Sequence, residues 1–165
     1  MNLASVPVGE PEEFNVFIEI SSGSVNQYEY DEALQALKLD YVFRDGFHFP
    51  FNYGFVPHTK AADNDPLDAV VLSSSPIQPS AIVAVKPLGI LRLKDRGEQD
   101  NKLITVPSTD PLSGKWKAID DLSEKERDEI VAFFKEVGVQ KNKTMDIEGF
   151  EGRDEAITEV RIHTL

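Results

Sequence analysis

The chain has 165 residues, a length typical of a single domain, which we expect to span residues 1–165. It has no cysteine, which excludes disulfides and thiolate metal sites. Acidic residues outnumber basic ones by 29 to 17, giving a formal net charge of −12. A field of that sign repels nucleic acid and anionic lipid, so we expect neither nucleic acid nor a membrane as a partner.

The N-terminal residues 1–13 are polar and contain two prolines, so we expect a loose arm. They lack a basic start followed by an apolar stretch, and so do not resemble a signal peptide. No apolar run approaches the roughly 20 residues that span a bilayer. We therefore expect a cytoplasmic protein.

Strand patterns dominate the first two thirds of the chain. In "FNVFIEI", residues Phe14, Val16, Ile18 and Ile20 alternate with Asn15, Phe17 and Glu19, which predicts a strand with one buried face. Further along, Pro87 and Gly89 suggest a bend or bulge in an extended segment. The predicted strands or extended segments are Phe14–Ile20, Gln27–Asp31, Phe49–Pro57, Ala69–Ser75, Ala81–Leu93 and Lys102–Pro107.

Helical patterns appear only near the C-terminus. Ser123 and Glu126 have the spacing of a capping box, and Gly138 suits a helix stop. One stripe of this helix carries Ile130, Phe133, Phe134 and Val137, and a weaker helix over Arg153–Ile162 turns Ala156, Ile157 and Val160 inward. Many short strands followed by two helices predict an α+β fold, with a small barrel covered by helices.

The stretch "DNDPLD" places Asp63, Asp65 and Asp68 within six positions. One interpretation is a proline-fixed turn rich in aspartate and asparagine. An EF-hand loop is excluded because Asp68 stands where that loop needs glycine. The third interpretation is a site for a hard cation, which prefers oxygen ligands.

Other carboxylates fall at the ends of predicted strands. Glu19 lies off the core face of its strand, and Glu29 lies in the next one. Asp95 and Asp100 lie in a loop before the strand that Lys102 opens. Each alone is weak evidence of a site, because hairpin tips are often acidic and solvated, but together they favour a cation site.

These residues resemble the soluble, family I inorganic pyrophosphatases. Their D-x-D-P-x-D signature matches "DNDPLD" at every fixed position, and the resemblance runs from about Phe14 to the C-terminus through "FIEI", "YEYD", "FPFNYGF" and "DRGEQDNK". It implies an OB-like five-stranded β-barrel with two flanking α-helices. It also implies hydrolysis of pyrophosphate with Mg²⁺ as cofactor, Mn²⁺ as a substitute, and a homo-oligomer, usually a hexamer.

The resemblance also implies roles for individual residues. Asp65 would accept the proton of the attacking water and would be catalytic together with Tyr53 and Lys102. The implied substrate-binding residues are Lys102, Tyr53 and Glu29. The implied metal ligands are Asp63, Asp68, Asp95, Asp100 and Glu19.

The basic half of the family pattern is altered. Gln27 stands for a lysine, Tyr41 for an arginine and Phe49 for a tyrosine, while Val137 and Gly138 replace a tyrosine-lysine pair. A charge-assisted contact to phosphate is worth about 1.5–3 kcal/mol, so these losses predict a slow enzyme. Possible substitutes are Lys141, Lys143 and Arg44, although the offset of Arg44 from Tyr41 points it to the opposite strand face.

Two alternatives stay open at this point. The first is a diverged phosphohydrolase that uses the same metal site on another phosphate compound. The second is a non-catalytic paralogue that binds metal but does not turn over substrate.

Overall fold

A computed structural model describes all residues, 1–165, and contains ten strands and three α-helices. Short 3₁₀ turns at Leu3–Ser5 and Ile119–Asp121 add to these elements. No helix is both long and apolar enough to cross a membrane. The strands are β1 (Gly9–Glu10), β2 (Glu13–Ile20), β3 (Asn26–Asp31), β4 (Ala36–Val42), β5 (Asn52–Phe55), β6 (Asp68–Val71), β7 (Ile82–Asp95), β8 (Glu98–Gln99), β9 (Lys102–Pro107) and β10 (Met145–Glu151); the helices are α1 (Leu112–Lys115), α2 (Glu124–Lys141) and α3 (Arg153–His163).

Five strands close into a barrel. They pair in the order β2-β5-β6-β9-β7, and β7 pairs back to β2. Only the β6–β9 pair is parallel. This confirms the expected α+β fold with a five-stranded barrel and flanking helices.

Strand β7 is long enough to serve two parts of the sheet. Its first half pairs with β2 and its second half with β10. Its pairing with β9 shifts register between Pro87 and Gly89, which confirms the predicted bulge. A Cβ atom at Gly89 would lie 2.4 Å from the Glu151 carbonyl oxygen, so only glycine allows β10 to approach this closely.

Helix α2 begins as predicted but ends later than predicted. The Glu126 amide donates to Ser123 Oγ at 3.1 Å, which completes the capping box. The predicted stop at Gly138 is wrong, because the helix continues to Lys141 and ends at Asn142 in the left-handed conformation (φ 51°). Gly138 instead provides close packing, since a Cβ atom there would lie 2.8 Å from the Lys143 carbonyl oxygen.

The two long helices cover the barrel through the predicted apolar stripes. Helix α2 buries Ile130, Phe133, Phe134 and Val137 in a cluster with β9 side chains such as Ile104. Helix α3 buries Ala156 and Val160 in a second cluster that contains Phe14, Val16 and Ile18 of β2. The two helices thus pack against different apolar clusters of the barrel.

The first 13 residues are more ordered than the expected loose arm. Leu3 is buried with Phe17 and Phe55, and β1 pairs with β2 through Gly9 and Phe14. The hairpin of β3 and β4 forms its own two-stranded sheet, in which β3 matches the prediction and β4 was not predicted. Tyr30 of this hairpin packs against Phe17, so the second face of β2 is also covered.

Candidate active site

All the predicted site residues line one cavity of about 1260 Å³. They come from the barrel, the β3–β4 hairpin and the loops that follow strands. The cavity brings together Glu19, Glu29, Tyr53, Asp63, Asp65, Asp68, Asp95, Asp100 and Lys102.

Lys102 forms ion pairs with two of the carboxylates. Its Nζ atom lies 2.6 Å from Asp68 Oδ2 and 2.9 Å from Asp100 Oδ1. Asp68 and Lys102 are register partners in the parallel β6–β9 pair, so the strand pairing itself fixes this contact. Burial alone would lower the pKa of Lys102, but the charges of Asp68 and Asp100 raise that pKa well above its usual value. Lys102 is therefore held in its charged form by its two carboxylate partners.

Glu19 is buried at an irregularity of β2. The β2–β5 register shifts between Ile18 and Ile20, which places Glu19 in a bulge where its carboxylate accepts a hydrogen bond from the Tyr30 amide at 2.8 Å. Only 7% of the residue is exposed, and burial raises the pKa of Glu19 to about 8. Burial likewise raises the pKa of Asp68 to about 6, although Lys102 opposes the shift. Asp68 has Lys102 as its counter-charge, whereas Glu19 makes no ion pair, so a charged Glu19 would be buried without a cation beside it.

The "DNDPLD" segment does form the turn that its composition predicts. Asp63 Oδ1 accepts a hydrogen bond from the Asp65 amide at 3.1 Å, and Asn64 has a positive φ of 72°. Burial raises the pKa of Asp63, while the Asp65 side chain is exposed and makes no hydrogen bond or ion pair. The turn thus fixes the backbone and leaves the Asp65 carboxylate free to act on a ligand.

Asp95 is neutralised by two cations. Lys143 Nζ lies 2.6 Å from Asp95 Oδ2, and Arg96 Nε lies 2.9 Å from Asp95 Oδ1. Burial would raise the pKa of Asp95, but the hydrogen bonds and charges of Lys143 and Arg96 lower it. Sequence reasoning did not identify Arg96, and adjacency to Asp95 was the only signal for it.

The comparisons with known proteins agree on one family. The family described as inorganic pyrophosphatase matches residues 16–164. The chain belongs to this family. It is 37% identical over 156 residues to the inorganic pyrophosphatase of Nostoc sp., covering 94% of this chain and 92% of that one.

Solved structures of the family superpose closely on the chain. The inorganic pyrophosphatase of Thermus thermophilus gives a TM-score of 0.91 at 40% identity, covering 98% of this chain and 95% of that one. That of Helicobacter pylori gives 0.90 at 36% identity, covering 96% of each chain. The chain is an inorganic diphosphatase of the soluble family I, whose hydrolysis of pyrophosphate depends on metal.

Four of the five altered positions of the family pattern also line this cavity. Gln27, Tyr41, Phe49 and Val137 line it, whereas Gly138 lies beneath the following loop. Both Lys141 and Lys143 reach the cavity, but Arg44 does not line it. The Arg44 guanidinium instead donates to Tyr41 Oη and to the Gln140 carbonyl oxygen, at 3.0 Å each.

The residues of the cavity fit a hard divalent cation. Carboxylate oxygens are the ligands that such cations prefer, and burial, which raises the pKa of Glu19, leaves its charged form without an ion-pair partner from the protein. In this conformation no three acidic or histidine side chains converge into a ready-made cage.

Proposed function

We propose that this cavity hydrolyses inorganic pyrophosphate to two phosphates with Mg²⁺ as its cation, and that Mn²⁺ can substitute. The observation that supports it is the gathering of the predicted carboxylates, Tyr53 and Lys102 around one cavity. The proposed ligands of the cations are Glu19, Asp63, Asp68, Asp95 and Asp100.

Divalent cations at such a site supply two effects, lowering the pKa of water and offsetting charge on phosphate oxygens. The exposed Asp65 carboxylate, free of protein partners, accepts the proton of the attacking water. The turn at Asp63 and Pro66 fixes the backbone of Asp65, so only its side chain remains to be ordered when substrate binds.

Lys102 and Tyr53 bind the phosphate groups, with Glu29 beside them. Lys102 is held charged by Asp68 and Asp100, and its ammonium lies 5.7 Å from the centre of the Tyr53 ring. The Tyr53 hydroxyl keeps its proton because burial raises its pKa well above the usual value, so it can donate a hydrogen bond to a phosphate oxygen. Both donors line the cavity, and Lys102 is buried.

The net charge of −12 bears on how pyrophosphate arrives. A cavity with this many carboxylates repels the free anion, whereas a complex with divalent cations carries less negative charge. We therefore expect the magnesium complex of pyrophosphate to be the substrate.

The direct test is phosphate release from pyrophosphate in the presence of Mg²⁺, with and without a chelator. We expect release that stops on chelation and returns when Mg²⁺ or Mn²⁺ is added. No release under any of these conditions would contradict the proposal. Divalent-cation binding without turnover of any phosphate compound would instead indicate a non-catalytic paralogue.

A second candidate is hydrolysis of another phosphate compound. It is favoured by Phe49 and Val137, which give the cavity wall apolar side chains where the family pattern has polar ones. A panel of nucleotides and phosphate esters separates the two, because preference for any member over pyrophosphate identifies the diverged activity.

We also propose that the chain forms a homo-oligomer, a hexamer by family resemblance, and acts in the cytoplasm. Light scattering on a sizing column measures the assembly, and a monomeric mass would contradict this.

A further inference from the structure

Four lysine and arginine side chains line the cavity, and three of them are already neutralised. Lys102 is paired with Asp68 and Asp100, while Lys143 and Arg96 are both paired with Asp95. The fourth, Lys141, makes no ion pair with a carboxylate. It is thus the one lysine or arginine of the cavity whose charge is not balanced by a neighbouring acid.

Lys141 is held by neutral groups. Its Nζ atom lies 2.6 Å from Gln27 Oε1 and 5.0 Å from the centre of the Tyr41 ring. The side chain is half-buried, and burial together with the charge of Lys143 lowers its pKa. The acids that favour its charged form, Asp40 and Glu29 among them, lie beyond ion-pair distance. An incoming anion would therefore relieve a cation that the protein leaves uncompensated.

The end of helix α2 is anchored so that Lys141 points in this direction. The Arg44 amide donates to Gln140 Oε1 at 2.9 Å, and Gln140 Nε2 donates to the Arg44 carbonyl oxygen at 3.0 Å. The Tyr41 hydroxyl donates to the Gln140 carbonyl oxygen at 3.0 Å. A cation in the last helical turn is also favoured by the helix dipole. The backbone before Lys141 is thus fixed against the strand that carries Tyr41.

We propose that Lys141 is a substrate-binding residue that contacts a phosphate group of pyrophosphate, and that Gln27 and Tyr41 position it. Gln27 and Tyr41 stand where the family pattern has a lysine and an arginine, and the ammonium of Lys141 lies against both of them. The ammonium of Lys141, at the end of helix α2, thus lies beside the two hairpin positions at which the family pattern has a lysine and an arginine. The inference rests on the proposed function of this cavity.

The first experiment removes the charge and keeps the stem. Lys141→Met retains a side chain over the Tyr41 ring, and we expect kcat/KM for magnesium pyrophosphate to fall roughly 10- to 100-fold, mainly through KM. Lys141→Arg should keep most of the activity. The matched control is Lys135→Met, which removes an exposed lysine from the same helix and should leave kcat/KM unchanged.

The second experiment moves the charge back to the hairpin. In the Lys141→Met protein, the further substitution Gln27→Lys places an ammonium near the point that Lys141 Nζ now occupies, because the two side chains meet at 2.6 Å. We expect this to restore most of the lost kcat/KM. Melting temperatures of all variants identify any that fail to fold.

A binding measurement separates this inference from the proposed function. Methylenediphosphonate, a pyrophosphate analogue that resists hydrolysis, is titrated with Mg²⁺ into the wild-type, Lys141→Met and Lys135→Met proteins by calorimetry. If the wild-type protein does not hydrolyse pyrophosphate, the proposed function is overturned. The anion site would still be supported if Lys141→Met, but not Lys135→Met, bound the analogue more weakly than the wild type. Equal affinity and equal kcat/KM in the two variants would overturn the role of Lys141, as would a loss that neither Lys141→Arg nor Gln27→Lys reverses.

Discussion

Asp68 and Lys102 face each other across the parallel β6–β9 pair, with Lys102 Nζ 2.6 Å from Asp68 Oδ2. The same ammonium lies 2.9 Å from Asp100. One buried lysine thus balances two carboxylates that we propose as metal ligands. Removing one partner of such a buried pair leaves an uncompensated charge, which is costly.

Substituting Lys102 is therefore expected to impair the enzyme. Lys102→Met removes a cation that offsets Asp68 and Asp100 and that we propose to bind phosphate. We predict that kcat/KM falls roughly 10- to 100-fold, as expected for loss of one charge-assisted contact, and steady-state kinetics measure it. Lys86→Met, at an exposed lysine of β7, is the control. An unchanged rate in Lys102→Met would exclude the proposed role.

Asp65 gives a prediction about catalysis without loss of stability. Its side chain is exposed and unpaired, so Asp65→Asn should leave the melting temperature within about 1–2 °C of wild type. A lost general base typically costs about 10²–10⁴-fold, and we expect kcat to fall in that range. Asp128→Asn, at an exposed aspartate of α2, controls for the loss of one negative charge. A parallel fall in both variants would point to a general charge effect instead.

Glu19 makes the metal-free protein sensitive to pH. Burial raises the pKa of Glu19 from 4.5 to about 8, so between these values the folded state binds more protons than the unfolded state. Raising the pH through this range therefore favours unfolding. At about 1.4 kcal/mol per pKa unit, the full shift corresponds to a loss on the order of 5 kcal/mol. Urea denaturation in a chelator at pH 5.5 and pH 8 measures most of it.

Two variants show whether Glu19 causes this slope. Glu19→Gln keeps an acceptor for the Tyr30 amide but cannot ionise, so its stability should depend less on pH. Asp68, whose pKa burial raises to about 6, accounts for part of the remaining slope. Glu13→Gln, at an exposed position of the same strand, should behave like wild type. Stability that rises with pH in the wild type would contradict the assignment.

Gly138 gives a prediction in which packing outweighs helix propensity. Replacing glycine by alanine inside a helix normally stabilises it by about 1 kcal/mol. Here the added Cβ would lie 2.8 Å from both the Lys143 carbonyl oxygen and Met145 Cγ, so Gly138→Ala should lower the melting temperature. Val139→Ala, at the exposed next position of the helix, is the comparison and should leave the melting temperature unchanged or slightly raised. A higher melting temperature in Gly138→Ala than in wild type, measured by thermal unfolding, would refute the packing argument.

The barrel strands were predictable because apolar alternation and prolines mark them. Strand β4 was not predicted, since Leu39 and Val42 remain more than half exposed and the strand has no fully buried residue. Its pairing with β3 comes from tertiary structure, which overrides weak local preference. The covered face of Phe17 was missed for the same reason, because the hairpin and the N-terminal residues that cover it are distant along the chain.

The site divides in the same way. The carboxylates were named from the sequence, and the cavity contains all of them. Their pairing with Lys102 follows from the parallel register of two strands that are separated by 34 residues at this contact, which no local pattern reveals. The position of Lys141 was open because the predicted helix ended at Gly138, about one turn too early.

The proposed metal ligands and the anion contact proposed for Lys141 belong to different parts of the molecule. The carboxylates lie on the barrel strands and their loops, whereas Gln27 and Tyr41 lie on a hairpin with its own small sheet and meet Lys141 at a helix terminus. Substitutions at Gln27 and Tyr41 can therefore change which phosphate compound is preferred without replacing a proposed metal ligand. In evolution, substrate preference can therefore change while the carboxylates proposed to bind the cations are kept.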